Sequence, residues 1–99
     1  MAKGYIYAEL VIIDPDGYQP YREGVPATIK AFGGRYLVRR GDPEVLEGDR
    51  NVTIVVVLEF DSRARALEWY NSEQYRDLKA LRMRTTKTNA FILSGYDDP

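Results

Sequence analysis

Cysteine and histidine are both absent from the 99 residues of the chain. Without cysteine, the protein has no disulfides, no thiolate nucleophile and no zinc-finger or iron–sulfur ligation. Without histidine, it lacks the usual proton shuttle near neutral pH, the Ser-His-Asp triad and the usual ligand of haem and zinc. We therefore expect no cofactor and no metal site. Any catalysis would depend on tyrosine, arginine, lysine, carboxylates, hydroxyls or the substrate's own reactivity.

Long apolar runs and an excess of charge of one sign are also missing. No run approaches the roughly 20 residues that a helix needs to cross a bilayer. The start "MAKGYIYAEL" lacks the features of a signal peptide. The net charge is −1, with lysine and arginine spread along the chain, which does not favour nucleic-acid binding. We expect a soluble, cytoplasmic protein with neither a nucleic-acid nor a membrane partner.

The chain does contain eight tyrosines, and 44% of its residues are hydrophobic. A chain of this length forms one small domain with little surplus burial, so we predict a single domain over residues 1–99. Small domains often gain stability by associating with a second copy.

The first half of the chain predicts a strand followed by a helix. The aromatic and β-branched stretch 4–13 is typical of a strand, and "DPDG" ends it. Asp14 is a good helix N-cap, and Pro15 suits the first helical position. We expect Pro26 to kink or split this helix, because proline lacks the backbone donor that a helix interior needs. The glycines at 33 and 34 end the helix.

The second half predicts three strands and a helical region in two pieces. The expected strands cover residues 35–40, 52–60 and 89–96, with 44–47 as a short hairpin extension. Ser62 caps one helix through Asn71, and Ser72 begins the second piece. The resulting order, β-α-β-β-α-β, predicts an α+β, ferredoxin-like fold with a four-stranded antiparallel sheet in the spatial order 4-1-3-2.

Alternation along the strands gives the sheet two surfaces. One should face the helices. The other carries Tyr5, Tyr7, Val55 and Val57, an apolar patch that soluble proteins rarely leave exposed. We therefore predict a homodimer in which this patch on one subunit packs against the same patch on the other.

Several segments together resemble a known family. They are "GGRYLVRRGDPEVLEG", the strand ending "LEF", "WYNSEQY" and "LRMRTTKTNAFILSG", and the combination is similar to the family catalogued as domain of unknown function 1330. The resemblance implies the dimeric α+β barrel superfamily, which includes cofactor-independent monooxygenases and ligand-binding modules. The family usually has Arg-Gly-Gly after the second strand, whereas here Arg39 is followed by Arg40 and Gly41.

Five residues are candidates for a ligand-binding site: Tyr21, Arg39, Glu47, Tyr75 and Arg82. Arg39 and Glu47 match the resemblance and lie where the hairpin would curl over the open end of the helix–sheet layer. Arg82 follows an apolar stripe on the last helix, so its planar fork would point inward and suit a carboxylate. The alternative is that Arg39 and Glu47 bind each other or the partner subunit.

Other charged residues favour structural roles. Arg35 and Glu59 should form a cross-strand ion pair, and Arg40 and Glu44 should be surface residues. Glu9 lies on the predicted dimer face and needs a partner. That partner would be an arginine of either subunit, unless Glu9 is a general base.

Two functional hypotheses remain open, and no catalytic residue is assigned. One is a cofactor-independent enzyme acting on a small aromatic or carboxylic compound in a pocket between helices and sheet, with a carboxylate moving protons. The alternative is a non-catalytic small-ligand-binding or stress-associated dimeric module. A purely structural dimer is a third possibility. In the first two cases the expected partner is a small carboxylated or planar ligand.

Overall fold

A computed structural model describes residues 2–96 of the chain. Of the single domain predicted over 1–99, Met1 and residues 97–99 lie outside the described residues. The elements are β1 (Gly4–Ile12), α1 (Pro15–Ala31), β2 (Arg35–Val38), β3 (Ile54–Phe60), α2 (Arg63–Tyr70), α3 (Glu73–Thr85) and β4 (Thr86–Ser94). None of the helices in this part of the chain is long and apolar enough to cross a membrane.

The four strands form one antiparallel sheet in the order β2-β3-β1-β4. This is the predicted order 4-1-3-2 seen from the other edge, so the ferredoxin-like fold is confirmed. In the centre of the sheet Tyr7 lies between Val57 of β3 and Phe91 of β4. The three helices pack on one face of the sheet, where the buried residues of strands and helices form one hydrophobic cluster.

Helix α1 begins as its sequence predicts. The Asp14 side chain accepts a hydrogen bond from the backbone N–H of Gly17, 3.0 Å away, and Pro15 occupies the first turn. The buried residues of this helix recur at helical spacing and face the sheet: Tyr18, Tyr21, Val25 and Ile29.

Of the two effects predicted for Pro26, a kink or a split, the split does not occur: α1 runs from Pro15 to Ala31 as one element. Proline has no N–H, so Pro26 leaves the carbonyl of Arg22, four residues earlier, without its helical donor. The guanidinium of Arg39 supplies that donor, with Nη2 at 2.9 Å from the Arg22 carbonyl oxygen. A contact from outside the helix thus satisfies the group that the proline leaves unpaired.

Strand β2 is shorter than the predicted 35–40. Its pairing with β3 shifts register between Tyr36 and Val38, and the strand ends there. Residues 39–53 form a loop in which 39–51 are all exposed, so the predicted hairpin extension at 44–47 is not formed. Gly41, at φ 74°, turns the chain into this loop, in a conformation that glycine adopts at little cost.

Strand β4 begins at Thr86, directly after α3, and not at residue 89 as predicted. The Thr86 hydroxyl donates a hydrogen bond to the Arg82 carbonyl at 2.7 Å, which satisfies an unpaired group at the helix end. Thr86 also pairs with Ile12 in the sheet, so the helix passes into the strand without a connecting loop.

The sheet face away from the helices carries the predicted apolar patch. Tyr5, Tyr7, Val55 and Val57 are half-buried there in the single chain. Beside them on β4, Phe91 is 52% exposed and Leu93 is 47% exposed. These six residues are called the open-face patch below.

Two ion pairs border the open-face patch. Arg35 Nη2 lies 2.7 Å from Glu59 Oε1, as expected for a cross-strand pair, and the Tyr5 hydroxyl donates to Glu59 Oε2 at 3.1 Å. Desolvation alone would raise the pKa of Glu59, but hydrogen bonds from Arg35 and Tyr5 outweigh it and hold the pKa below its ordinary value. The second pair joins Glu9 to Arg50 of the same chain at 2.8 Å. It explains how a carboxylate only 8% exposed is accommodated on this face.

Candidate functional site

A cavity lies between the helices and the sheet. Its free volume is about 60 Å³, room for a few water molecules or one end of a small organic molecule. The floor is apolar and comes from β1, β3 and β4: Ile6, Ala8, Leu10, Ile54, Val56, Leu58 and Ala90. The helices supply Tyr18, Tyr21, Val25, Ile29, Trp69, Tyr70 and Tyr75, and the rest of the lining is Arg22, Tyr36, Arg39, Arg40 and Arg82. The cavity is therefore aromatic on the helix side and aliphatic on the sheet side.

Within the described part of the chain, the charged residues that line the cavity are all arginines. Arg22, Arg39 and Arg40 are exposed, and Arg82 is buried. No aspartate or glutamate among residues 2–96 contributes to the lining. The site thus carries positive charge that no lining carboxylate balances.

Arg82 is the buried arginine of this site. It follows Tyr75 by seven residues on α3, two helical turns, so both side chains lie on the face that packs toward α1 and the sheet. Only 6% of Arg82 is exposed, and its Nε has no hydrogen-bond partner among the described residues. None of the ion pairs within residues 2–96 includes Arg82. It is a buried cation without a counter-ion in this part of the chain.

The hydroxyls of Tyr21 and Tyr75 meet beside Arg82. Their oxygens are 2.7 Å apart, which joins α1 to α3 by a buried hydrogen bond. Desolvation by burial raises the pKa of Tyr21 well above its ordinary value, and the neighbouring Tyr75 adds to the shift. Burial also raises the pKa of Tyr75, although Arg82 opposes the shift. Both phenols are therefore neutral at physiological pH.

Trp69 builds the aromatic wall of the cavity. Its ring stacks on Tyr75 with centroids 4.1 Å apart, and its indole N–H donates to the Thr28 hydroxyl on α1 at 3.0 Å. The indole is thus held by contacts to both neighbouring helices. A rigid aromatic wall of this kind suits a flat ligand.

Arg39 lies at the exposed side of the cavity, where it contacts two neighbouring residues. Its guanidinium lies 5.0 Å from the centre of the Tyr36 ring, a cation–π contact, and donates to the Arg22 carbonyl. Arg39 therefore has a structural role in addition to lining the cavity.

Four of the five predicted ligand-binding residues line this one cavity: Tyr21, Arg39, Tyr75 and Arg82. Glu47 does not join them. It lines a shallow groove on the opposite face of the sheet, together with Tyr7, Glu9 and Arg50. The ion pair between Arg50 and Glu9 holds the end of the 39–53 loop on that face. The sequence pattern predicted a simple hairpin without this ion pair, and so placed Glu47 near the cavity.

Several lining residues were not predicted. Arg40 was expected to be a surface residue, and it is exposed but borders the cavity. Tyr18 and Arg22 also line it. Both lie at helical spacing from Tyr21 and Val25, so the sequence pattern alone could have placed Tyr18 and Arg22 on the same face of α1.

The expected proton-moving carboxylate is not found in the cavity, since the titratable side chains that line it within residues 2–96 are tyrosines and arginines. No group of three or more aspartates or glutamates in these residues is arranged to bind a metal ion. The chemistry that the cavity offers is positive charge, hydroxyl hydrogen bonds and aromatic surface.

The family comparison agrees with the resemblance noted in the sequence. The family described as domain of unknown function (DUF1330) matches residues 3–96 of the chain. The chain belongs to the DUF1330 family. No curated protein matches this DUF1330 member significantly.

Solved structures share the fold of this DUF1330 protein. The RPA0582 protein of unknown function from Rhodopseudomonas palustris superposes with a TM-score of 0.81 at 15% identity, over 98% of this chain and 85% of that one. SnoaB, a cofactor-independent oxygenase from Streptomyces nogalater, has a TM-score of 0.72 at 7% identity, over 99% and 97% of the two chains. A dimeric ferredoxin-like protein of unknown function from Thermobifida fusca has a TM-score of 0.65 at 11% identity, over 94% and 91%. At these identities the likeness establishes the fold of the DUF1330 protein and no more.

Proposed function

We propose that this protein binds a small carboxylated or planar organic molecule in the cavity between its helices and sheet. The observation that carries the proposal is the lining itself, which within residues 2–96 combines a wall of tyrosines and one tryptophan with four arginines and no carboxylate. Ligand sites are concave and mostly apolar, with a few polar groups that orient the ligand. The tyrosine hydroxyls and the guanidinium groups would serve that purpose.

The size of the cavity limits the ligand. Pockets for drug-sized ligands have volumes of roughly 300–1,000 Å³, whereas this one has about 60 Å³. The ligand is therefore a small molecule, or a larger one that places only one end inside. The exposed arginines Arg22, Arg39 and Arg40 would then contact the part that extends outward.

Catalysis on such a ligand, without a cofactor, is the second candidate function. Arg82 favours it, because a buried cation beside the Tyr75 hydroxyl would stabilise negative charge that develops on a bound substrate. SnoaB, which has the same fold, is a cofactor-independent oxygenase. The phenols are neutral and residues 2–96 place no carboxylate in the lining, so a substrate that ionises readily by itself would suit this site best.

We also propose that the protein is a homodimer joined through the open-face patch. The support is the apolar surface of Tyr5, Tyr7, Val55, Val57, Phe91 and Leu93, which lies on the sheet face that the helices leave uncovered. A second copy would cover the patch by two-fold symmetry. The Thermobifida fusca protein of the same fold is dimeric.

Native mass spectrometry of the freshly purified protein, followed by NMR titration with a panel of small aromatic and aliphatic carboxylates, tests the binding proposal. The variant Ala8→Met fills the cavity from its floor, and Ala27→Met is the matched control on the exposed side of α1. We expect a retained molecule or a saturable shift of cavity resonances in the wild type and in Ala27→Met, and neither in Ala8→Met. Circular dichroism and thermal melting confirm that both variants are folded.

The binding proposal is wrong if the wild type neither retains a molecule nor responds to any member of the panel. It is equally wrong if a folded Ala8→Met variant binds as tightly as the wild type, since the ligand would then lie outside the cavity. Turnover distinguishes the enzyme from the binding module. An enzyme incubated with a bound compound under air would convert it, and the signals of the compound would disappear from the NMR spectrum, whereas a binding module would leave them unchanged.

A further inference from the structure

Arg82 differs from the other arginines of the described chain. It is 6% exposed, whereas Arg65 is half-buried and the rest are exposed. Burying a charged group is costly unless it is paired and hydrogen-bonded. A folded chain keeps such a cation at little cost only when something else supplies the missing negative charge.

The groups around Arg82 do not supply it. The hydroxyls of Tyr21 and Tyr75 are neutral dipoles at physiological pH. The hydroxyls of Thr85 and Thr86 are neutral as well, and both donate to backbone carbonyls, that of Leu81 at 2.9 Å and that of Arg82 at 2.7 Å. Nε, moreover, is without an acceptor in residues 2–96.

We propose that Arg82 is the anchor for a singly charged anionic group of the ligand, and that the ligand is a monoanion bound with that group beside Arg82. This inference rests on the binding function proposed above and specifies its ligand class. A carboxylate is the group that fits best, because its two oxygens accept the parallel N–H bonds that a guanidinium presents. When Tyr21 donates in its hydrogen bond with Tyr75, the Tyr75 proton is an additional donor to the ligand.

The position of Arg82 distinguishes it from the arginines at the exposed side. Charges exposed to water are screened, and their pairing contributes little. Arg39 is also already engaged with the Arg22 carbonyl and the Tyr36 ring. A desolvated cation interacts more strongly with an anion, and one buried cation balances one negative charge. A dianionic group would leave excess charge in the same apolar surroundings.

The test compares benzoate with benzamide, which have nearly the same shape but differ in charge, and adds phenyl phosphate as a dianion. Each is titrated into the wild type, Arg82→Met and the control Arg84→Met, which changes an exposed arginine of the same helix. Affinities come from NMR shifts of the cavity residues. The Nε–H resonance of Arg82, identified by its loss in Arg82→Met, is followed in parallel.

We expect the wild type and Arg84→Met to bind benzoate at least about tenfold more tightly than benzamide and phenyl phosphate. In Arg82→Met the preference for benzoate over benzamide should disappear. Benzoate should move the Nε–H resonance of wild-type Arg82, and benzamide should not. The melting temperature of ligand-free Arg82→Met should be unchanged or higher, since an apolar side chain replaces an unpaired buried cation.

Equal affinity of the wild type for benzoate and benzamide would overturn the inference and leave the binding function intact. So would a retained benzoate preference in Arg82→Met, or tighter binding of phenyl phosphate than of benzoate. If Arg82→Met fails to fold, the test depends on the Nε–H resonance of wild-type Arg82. A resonance that does not move at saturating benzoate contradicts the inference. Failure of the wild type to bind any of the three probes would overturn both proposals.

Discussion

Arg39 donates a hydrogen bond to the backbone carbonyl of Arg22, 2.9 Å away, and so replaces the helical donor that Pro26 lacks. The contact links the chain after β2 to the middle of α1. It explains how one uninterrupted helix accommodates an internal proline, and why a residue that lines the cavity is held in a defined position.

The first prediction tests this link with a double-mutant cycle. Arg39→Ala should lower the free energy of unfolding by about 1 kcal/mol, because it removes one hydrogen bond and one cation–π contact. In the background of Pro26→Ala the same change should cost less, since an alanine N–H there would bond the Arg22 carbonyl itself. Urea unfolding of the four proteins gives the coupling energy. Strictly additive effects on the free energy of unfolding would show that Arg39 does not compensate for the missing N–H of Pro26.

The second prediction concerns ligand binding by Arg39. Arg39→Ala should weaken the binding of a carboxylated ligand several-fold, while the melting temperature should fall by only the roughly 4–8 °C that a loss of about 1 kcal/mol produces in a domain of this size. Arg76→Ala, an exposed change on α3 away from the cavity, is the control and should leave affinity unchanged. A large loss of stability without loss of affinity would assign Arg39 a structural role alone.

The third prediction concerns the hydrogen bond between Tyr21 and Tyr75. Removing either hydroxyl leaves the other buried without its partner, so Tyr21→Phe and Tyr75→Phe should each cost about 1–3 kcal/mol of unfolding free energy. The double variant should cost clearly less than the sum, since no unpaired hydroxyl remains. Chemical denaturation measures all four free energies, and additivity would mean that the two hydroxyls are not bonded in solution.

The fourth prediction is a pH dependence that arises from Glu59. Hydrogen bonds from Arg35 and Tyr5 outweigh desolvation and lower its pKa in the folded state. The resulting stabilisation is fully present above about pH 4.5, the ordinary value, and is lost as the pH falls through the lowered pKa. The urea midpoint of the wild type should therefore fall more steeply below this pH than that of Glu59→Gln. Glu44→Gln, in the exposed loop, should follow the wild type, and parallel curves for wild type and Glu59→Gln would contradict the prediction.

The fifth prediction concerns assembly. Val57→Lys should dissociate the proposed dimer and destabilise the subunit, because two-fold symmetry would bury an unpaired ammonium from each copy. Leu67→Lys, on an exposed position of α2, should remain dimeric. Size-exclusion chromatography with light scattering at micromolar concentration separates the outcomes. A monomeric wild type, or a dimeric Val57→Lys, would contradict the interface.

Local patterns in the sequence were enough to predict the element order and the sheet. Alternation in β1 and β3 and the helical spacing of Tyr18, Tyr21 and Val25 arise from backbone geometry, which repeats over a few residues. The inward position of Arg82 followed in the same way from its spacing after Leu78 on α3. Tyr21, Tyr75 and Arg82, which these patterns place on the inner helix faces, line one cavity. Arg39 lines it too, but it was predicted from the resemblance and from its position after the second strand.

Tertiary structure decided what depends on contacts between distant residues. The ion pair between Glu9 and Arg50 spans 41 positions and draws the 39–53 loop to the open face, which separates Glu47 from the cavity. Arg39 is 17 positions from Arg22 in the sequence, yet it supplies the donor that Pro26 lacks, and α1 is not split there. Short-range periodicity carries no information about such partners, because it records which face a side chain takes and not which distant group meets it there.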